Sequence, residues 1–208
     1  AKRMGVHRAM PIHEVRKRFP EIVVRASSYE TYSLFAERMY AIVRRYTPHV
    51  EEYSIDECFA DLTGLRGILH MSYPEMAAAI KRDLYKELGI TFSVGLGPGK
   101  VLAKVGSKLN KPDGLTIISR NDISTILAKV PAGKIWGIGP QTSAYLAKLG
   151  IETAGQFARQ EEKWVEARLA RPYLEIWKEL QGISVMPLAL DGKRTYASIQ
   201  VTRTFTPP

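Results

Sequence analysis

The run VEEYSIDECFADL (50–62) sets the strongest constraint on the fold. Its apolar residues alternate as in a half-buried strand, and period two assigns Tyr53, Ile55 and Phe59 to one face. Two acids, Asp56 and Glu57, interrupt it side by side. Neighbouring residues on a regular strand point to opposite faces. Both carboxylates therefore reach one site only where the strand bends or ends in a tight turn, so the run reads as one strand or a tight strand pair. Five carboxylates fall within residues 50–61, and no Lys or Arg lies within four positions of the pair. Like charges this close raise one another's pKa unless a cation sits between them. An oxygen-seeking dication such as Mg²⁺, which takes one or two carboxylates plus substrate phosphates, answers that need. Two such ions ~4 Å apart clamp the attacking and leaving oxygens of a phosphoryl transfer. The alternative is a pair of solvent-facing charges that discourage edge pairing.

Around this run the pattern alternates. A short helix is predicted over 11–18, a strand over 21–25 (EIVVR) and an amphipathic helix over 29–46. Ser72 and Glu75 form a capping-box sequence ahead of a helix over 74–88, closed by Gly89. A strand over 90–97, a lysine-rich helix over about 99–109, the loop NKPDG (110–114) and a strand over 115–118 follow. This order predicts an α+β fold with helices on one face of an antiparallel or mixed sheet. After about 119, helical segments joined by glycine turns predict a separate small all-α domain up to about 182. The end, PLALDGKRTYASIQVTRTFTPP, reads as an extended linker.

The net charge of +9 is unevenly spread. Residues 1–25 carry seven Lys and Arg against Glu14 and Glu21, and residues 100–111 carry Lys100, Lys104, Lys108 and Lys111 with no acid. Clustered basic charge favours a polyanion partner, and a solvated basic surface is the alternative. Lys100, Lys104 and Lys108 share one helix face by spacing. The loop GLGPGKV (95–101) fits neither phosphate-loop pattern: Val94 and Val101 break one, and Lys100 takes the third glycine position of the other. In IWGIGPQTSAYLAKLGI (135–151), Gly137-Ile138-Gly139 joins two helices as in a helix–hairpin–helix, whose backbone N–H groups can hold a DNA phosphate. A plain packing hairpin is the alternative there. The only cysteine, Cys58, excludes an internal disulfide and points to a reducing compartment, the cytoplasm. No apolar run is long enough to span a bilayer as a helix.

YSIDECFADLTG together with FSVGLGPGKVLAKVGSKLNKPDG and KIWGIGPQTSAYLAKLGI resembles the Y-family, the lesion-bypass DNA polymerases, over nearly the whole chain. Trp136 and TRTF (202–205) are more similar to the DNA polymerase V catalytic subunit type than to DNA polymerase IV. The resemblance implies an end of fingers over 1–26, an incomplete palm over 27–118, a helical thumb over 119–188, and over 189–208 a linker toward a little-finger domain. Asp56 is implied to bind two catalytic Mg²⁺ ions and Glu57 the ion nearer the primer end. Lys111 and Lys2 are implied at the incoming nucleotide's triphosphate. Gly137, Ile138, Gly139, Lys100 and Lys104 are expected at the DNA backbone. The implied partners are primer–template DNA, a deoxynucleoside triphosphate and a sliding clamp, in a bacterial cytoplasm at the nucleoid. The family's third metal-binding carboxylate comes from a first strand near its N-terminus, and no aspartate precedes Asp56 here. A fragment is therefore expected, with little or no polymerase activity of its own and an open sheet edge that invites self-association. A non-catalytic duplex-DNA-binding module is the second reading.

Overall fold

A computed structural model describes residues 1–190. Residues 1–33 form one compact unit, and residues 34–190 belong to another. In the first unit, α1 (Ile12–Arg18) starts after Pro11, whose fixed φ suits a helix start, and buries Val15. EIVVR (21–25) is not a strand, contrary to the expectation, and Val23 is 75 % exposed. β-branched residues stabilise a strand only where a neighbouring strand takes their backbone groups, and among the described residues none does.

α2 (Tyr29–Arg44), most of which belongs to the second unit, buries Ala36, Met39, Tyr40, Ile42 and Val43 on one face, while Tyr32, which shares helical spacing with Met39 and Ile42 in the sequence, is exposed. β1 (Val50–Ser54) and β2 (Glu57–Ala60) form an antiparallel hairpin with an irregularity at Tyr53. The short α3 (Arg66–Leu69), not foreseen, leads to α4 (Tyr73–Leu88). There the capping box closes as the sequence implies: the Ser72 N–H donates to Glu75 Oε2 at 2.7 Å, and Gly89 ends the helix at φ 68°. α2, α4 and the inner face of the hairpin share one core around Met76, Ile80 and Val50.

β3 (Val94–Leu96) and β4 (Leu115–Ile117) pair in parallel, with α5 (Lys100–Leu109) as their crossover. The α+β class holds, with both pairing senses, but among the described residues they belong to two separate two-stranded sheets. A cavity of about 550 Å³ touches Phe59 and Ala60 of β2, Leu96 and Gly97 at the end of β3, and Ile117.

Five helices follow: α6 (Ile123–Leu127), α7 (Pro140–Lys148), α8 (Ala154–Ala158), α9 (Glu162–Arg168) and α10 (Arg171–Leu180). They close around Phe157, Leu146 and Leu180, and the same core takes Val101, Leu102 and Val105 from α5 and Ile118. α5 is thus the element both halves of this unit share. No helix among the described residues is long and apolar enough to cross a membrane.

The seat of α5 on β3 depends on Gly95. A Cβ there would lie 2.0 Å from the Ala103 carbonyl oxygen and 2.3 Å from the Ser107 nitrogen. Both are backbone atoms of a helix and cannot swing aside. Gly95→Ala should therefore lift α5 from the strand and lower stability by about 3 kcal/mol. Urea unfolding of the two proteins checks this, and a difference below about 0.5 kcal/mol would exclude the close approach.

Candidate active site

The acidic pair sits at the tip of the hairpin. β1 ends at Ser54 and β2 begins at Glu57, so Ile55 and Asp56 form the turn. The buried Tyr40 of α2 holds it from below, its hydroxyl donating to the Ser54 carbonyl at 2.6 Å. The Ser54 hydroxyl in turn donates to Asp56 Oδ1 at 2.8 Å. Asp56 is exposed and Glu57 half-buried. The predicted common face of Tyr53, Ile55 and Phe59 is only partly right. The irregularity at Tyr53 and the turn reset the alternation, so Ile55 packs into the α2–α4 core with Cys58 and Ala60. The rings of Tyr53 and Phe59 meet 5.5 Å apart.

That ring face meets α5. The Lys104 ammonium pairs with Glu57 Oε2, and Lys100 pairs with Glu51 Oε2 at 2.6 Å. The two lysine side chains are only 10–11 % exposed. Lys100 lies 5.0 Å from the Phe59 ring centre and Lys104 5.0 Å from that of Tyr53. An ammonium removed from water needs such partners, a carboxylate first and aromatic faces second. Trp136, just ahead of Gly137, completes the group by donating Nε1–H to the Tyr53 hydroxyl at 3.0 Å. Glu51 also accepts the Ala189 N–H at 3.0 Å. Lys100 and Lys104, expected at the DNA backbone, are turned inward and held by carboxylates, because α5 packs that face against the hairpin.

The other expected residues are dispersed. Lys111 is exposed in a loop braced by Asn110 Nδ2 on Thr116 Oγ1 at 2.9 Å and by a Lys81–Asp113 ion pair at 2.5 Å. Lys2 is exposed in a short 3₁₀ turn of the first unit. Gly137 has φ +89°, and a Cβ there would lie 2.6 Å from Ile176 Cδ1, so both the turn and the packing require glycine. Gly139 precedes α7 without a side-chain cap, leaving the helix's first N–H groups to another acceptor. Ile138 is buried in the core. The arm before this turn is a single 3₁₀ turn, Ala132–Lys134, where the sequence predicts a helix.

Burial pushes the Cys58 thiol up to about 11. At pH 8 the native protein should react with iodoacetamide about 100-fold more slowly than free cysteine, and urea should restore the rate. Rapid labelling of the folded chain would contradict the buried hairpin face.

Among the described residues no group of three or more His, Cys, Asp or Glu side chains stands ready for a metal ion. Asp56 and Glu57 still fit a hard dication, which keeps several waters and needs only one or two protein carboxylates.

Residues 1–108 match the model of the impB/mucB/samB family. The chain belongs to that family. Its relatives make this the Y-family of DNA polymerases. It is 41 % identical over 154 residues to the DNA polymerase IV of Moorella thermoacetica, covering 74 % of this chain and 38 % of the relative. To that of Streptococcus pyogenes it is 33 % identical over 207 residues, covering 96 % and 56 %. The chain thus spans about half the length of the curated relatives it matches. Among solved structures, the insertion ternary complex of Dbh DNA polymerase shares the fold with a TM-score of 0.77 at 24 % identity, over 90 % of this chain and 55 % of that one. A DinB family error-prone DNA polymerase from Sulfolobus solfataricus aligns with a TM-score of 0.75 at 25 % identity, over 90 % and 56 %. These relatives are DNA polymerase IV proteins, so the expected closeness to the DNA polymerase V subunit is not supported. TRTF (202–205) lies outside the described residues. Membership of this family implies the use of a divalent metal ion.

Proposed function

We propose that this chain is the palm-and-thumb part of a lesion-bypass DNA polymerase and that Asp56 and Glu57 hold its metal. The observation that carries this is the hairpin tip, where a turn anchored by Tyr40 bears two carboxylates on successive residues. When bound, a pair of Mg²⁺ ions would neutralise charge on the transferred phosphoryl group and on the primer 3′ oxygen. Asp56, exposed and oriented by Ser54, offers a free carboxylate oxygen. Glu57 adds a second carboxylate, whose Oε2 is paired with Lys104. Lys111, exposed on its braced loop, would take the triphosphate of the incoming nucleotide. The unspent N–H groups after Gly139 would grip the duplex backbone without reading its sequence. Residues 1–26 would then be the end of the fingers, 27–118 the palm and 119–188 the thumb; the expected linker lies, beyond residue 190, outside the described residues.

One observation favours a second reading, a duplex-binding module without chemistry. Glu57 is already neutralised by Lys104, and no third metal-binding side chain joins the pair among the described residues. Primer extension on an undamaged primer–template separates the readings. The natural full-length protein should extend the primer with Mg²⁺ and stop when EDTA is added, and this 208-residue chain should bind the same DNA while extending it little. Binding without extension by both would favour the second reading. Neither binding nor extension would remove the first.

A further inference from the structure

The Lys104–Glu57 pair has a consequence for how metal reaches the acidic turn. Lys104 is 9 % exposed, and its ammonium contacts Glu57 Oε2, the face of Tyr53 at 5.0 Å and that of Phe59 at 5.9 Å. Glu51 is not open to it, because Lys100 and the Ala189 N–H already bind that carboxylate. The helix bearing it is fixed on β3 by the Gly95 contact. A dication on Glu57 would stand within a few ångströms of this ammonium, and two cations sharing one carboxylate repel strongly where water is scarce.

We infer that Lys104 is a built-in competitor for divalent metal at Glu57: its ammonium fills the cation position of the acidic turn and has to yield that carboxylate for the metal to load. The inference rests on the reading of Asp56 and Glu57 as the metal site. It assigns Lys104 a gating role there, distinct from a contact with the DNA backbone. The exchange moves no bond and no electron. It replaces an ammonium–carboxylate contact by a metal–carboxylate contact and leaves the lysine protonated.

The probe is Mn²⁺, with the free ion counted by electron paramagnetic resonance at pH 7.5. Lys104→Met keeps an unbranched apolar side chain against Tyr53 and Phe59 and removes only the charge. It should bind Mn²⁺ about tenfold more tightly than the parent protein. Lys108→Met, one turn further along α5, should stay within about twofold. Unchanged or weaker binding in Lys104→Met would overturn the inference. Should that variant fail to fold by circular dichroism, Lys104→Gln carries the same expectation. The parent protein offers an independent readout, since Mg²⁺ should speed reductive methylation of Lys104 several-fold, and an unaltered rate would also overturn the inference. The double variant Asp56→Asn, Glu57→Gln tests the underlying reading separately. If it binds Mn²⁺ like the parent, the metal site itself is misplaced, whatever Lys104 does.

Discussion

Asp56→Ala should reduce template-directed primer extension by the full-length protein by about 10³-fold or more, with affinity for primer–template changed less than about threefold. The asymmetry follows from where the residue sits. Asp56 is exposed at the hairpin turn, and its side-chain hydrogen bond from Ser54 is local. The core beneath is held by Tyr40 on the Ser54 carbonyl and by Ile55, neither of which the substitution touches. Stability should move by under about 1 kcal/mol, as for a surface change. What is lost is a carboxylate where charge develops during phosphoryl transfer, so the effect should fall on the chemical step in single-turnover measurements. A variant that extends within tenfold of the parent would show that the acidic turn is not the reaction centre.

The largest loss of stability should come from Glu179→Ala, about 3–5 kcal/mol. Glu179 lies in α10 with no exposed surface. Its carboxylate accepts the Val101 N–H at 3.2 Å, the Val185 N–H at 2.9 Å and the Met186 N–H at 3.1 Å. Val101 lies in the first turn of α5, so Glu179 serves as the cap that Gly99 cannot supply and sits at the positive end of the helix dipole. The space it fills exists because residue 99 is glycine: a Cβ there would lie 2.2 Å from Glu179 Oε2. Alanine at 179 takes the acceptor from the buried Val101 N–H and from the half-buried N–H groups of Val185 and Met186, and leaves a void beside them. Because α5 bears Lys100 and Lys104, its loosening should also disturb the hairpin. Urea unfolding gives the loss, and a value under about 1 kcal/mol would mean that water replaces the carboxylate without penalty.

The legibility of this chain followed the range of the interaction. α2 and α4 were readable because periodicity, the Ser72–Glu75 box and Gly89 are local signals, and each took the geometry it encodes. The hairpin was readable because adjacent acids in an alternating run have few ways to share a face. The run EIVVR was misread because a strand needs a partner that composition cannot supply. The counter-charge of the acidic turn has no local signal, because it lies 47 residues from Glu57, at Lys104. Lys100 and Lys104 carry the spacing of one helix face, but spacing alone does not say whether that face meets solvent, DNA or an acidic hairpin. Glu179 gave no sequence signal at all, since RPYLEIWKEL reads like any amphipathic helix with a charged rim. Trp136 was singled out for family likeness, whereas its bond to Tyr53, 83 residues away, needed the fold.

The account's central claim, that a divalent ion sits at the hairpin tip, is tested most directly by substituting Fe²⁺ for Mg²⁺ and adding ascorbate and peroxide in the presence of primer–template and nucleotide. Hydroxyl radicals formed at the bound ion cut the backbone beside it, and mass spectrometry locates the cuts. The account predicts cleavage concentrated between Tyr53 and Cys58, lost in Asp56→Asn, Glu57→Gln. Cleavage elsewhere, with this stretch intact, would contradict it.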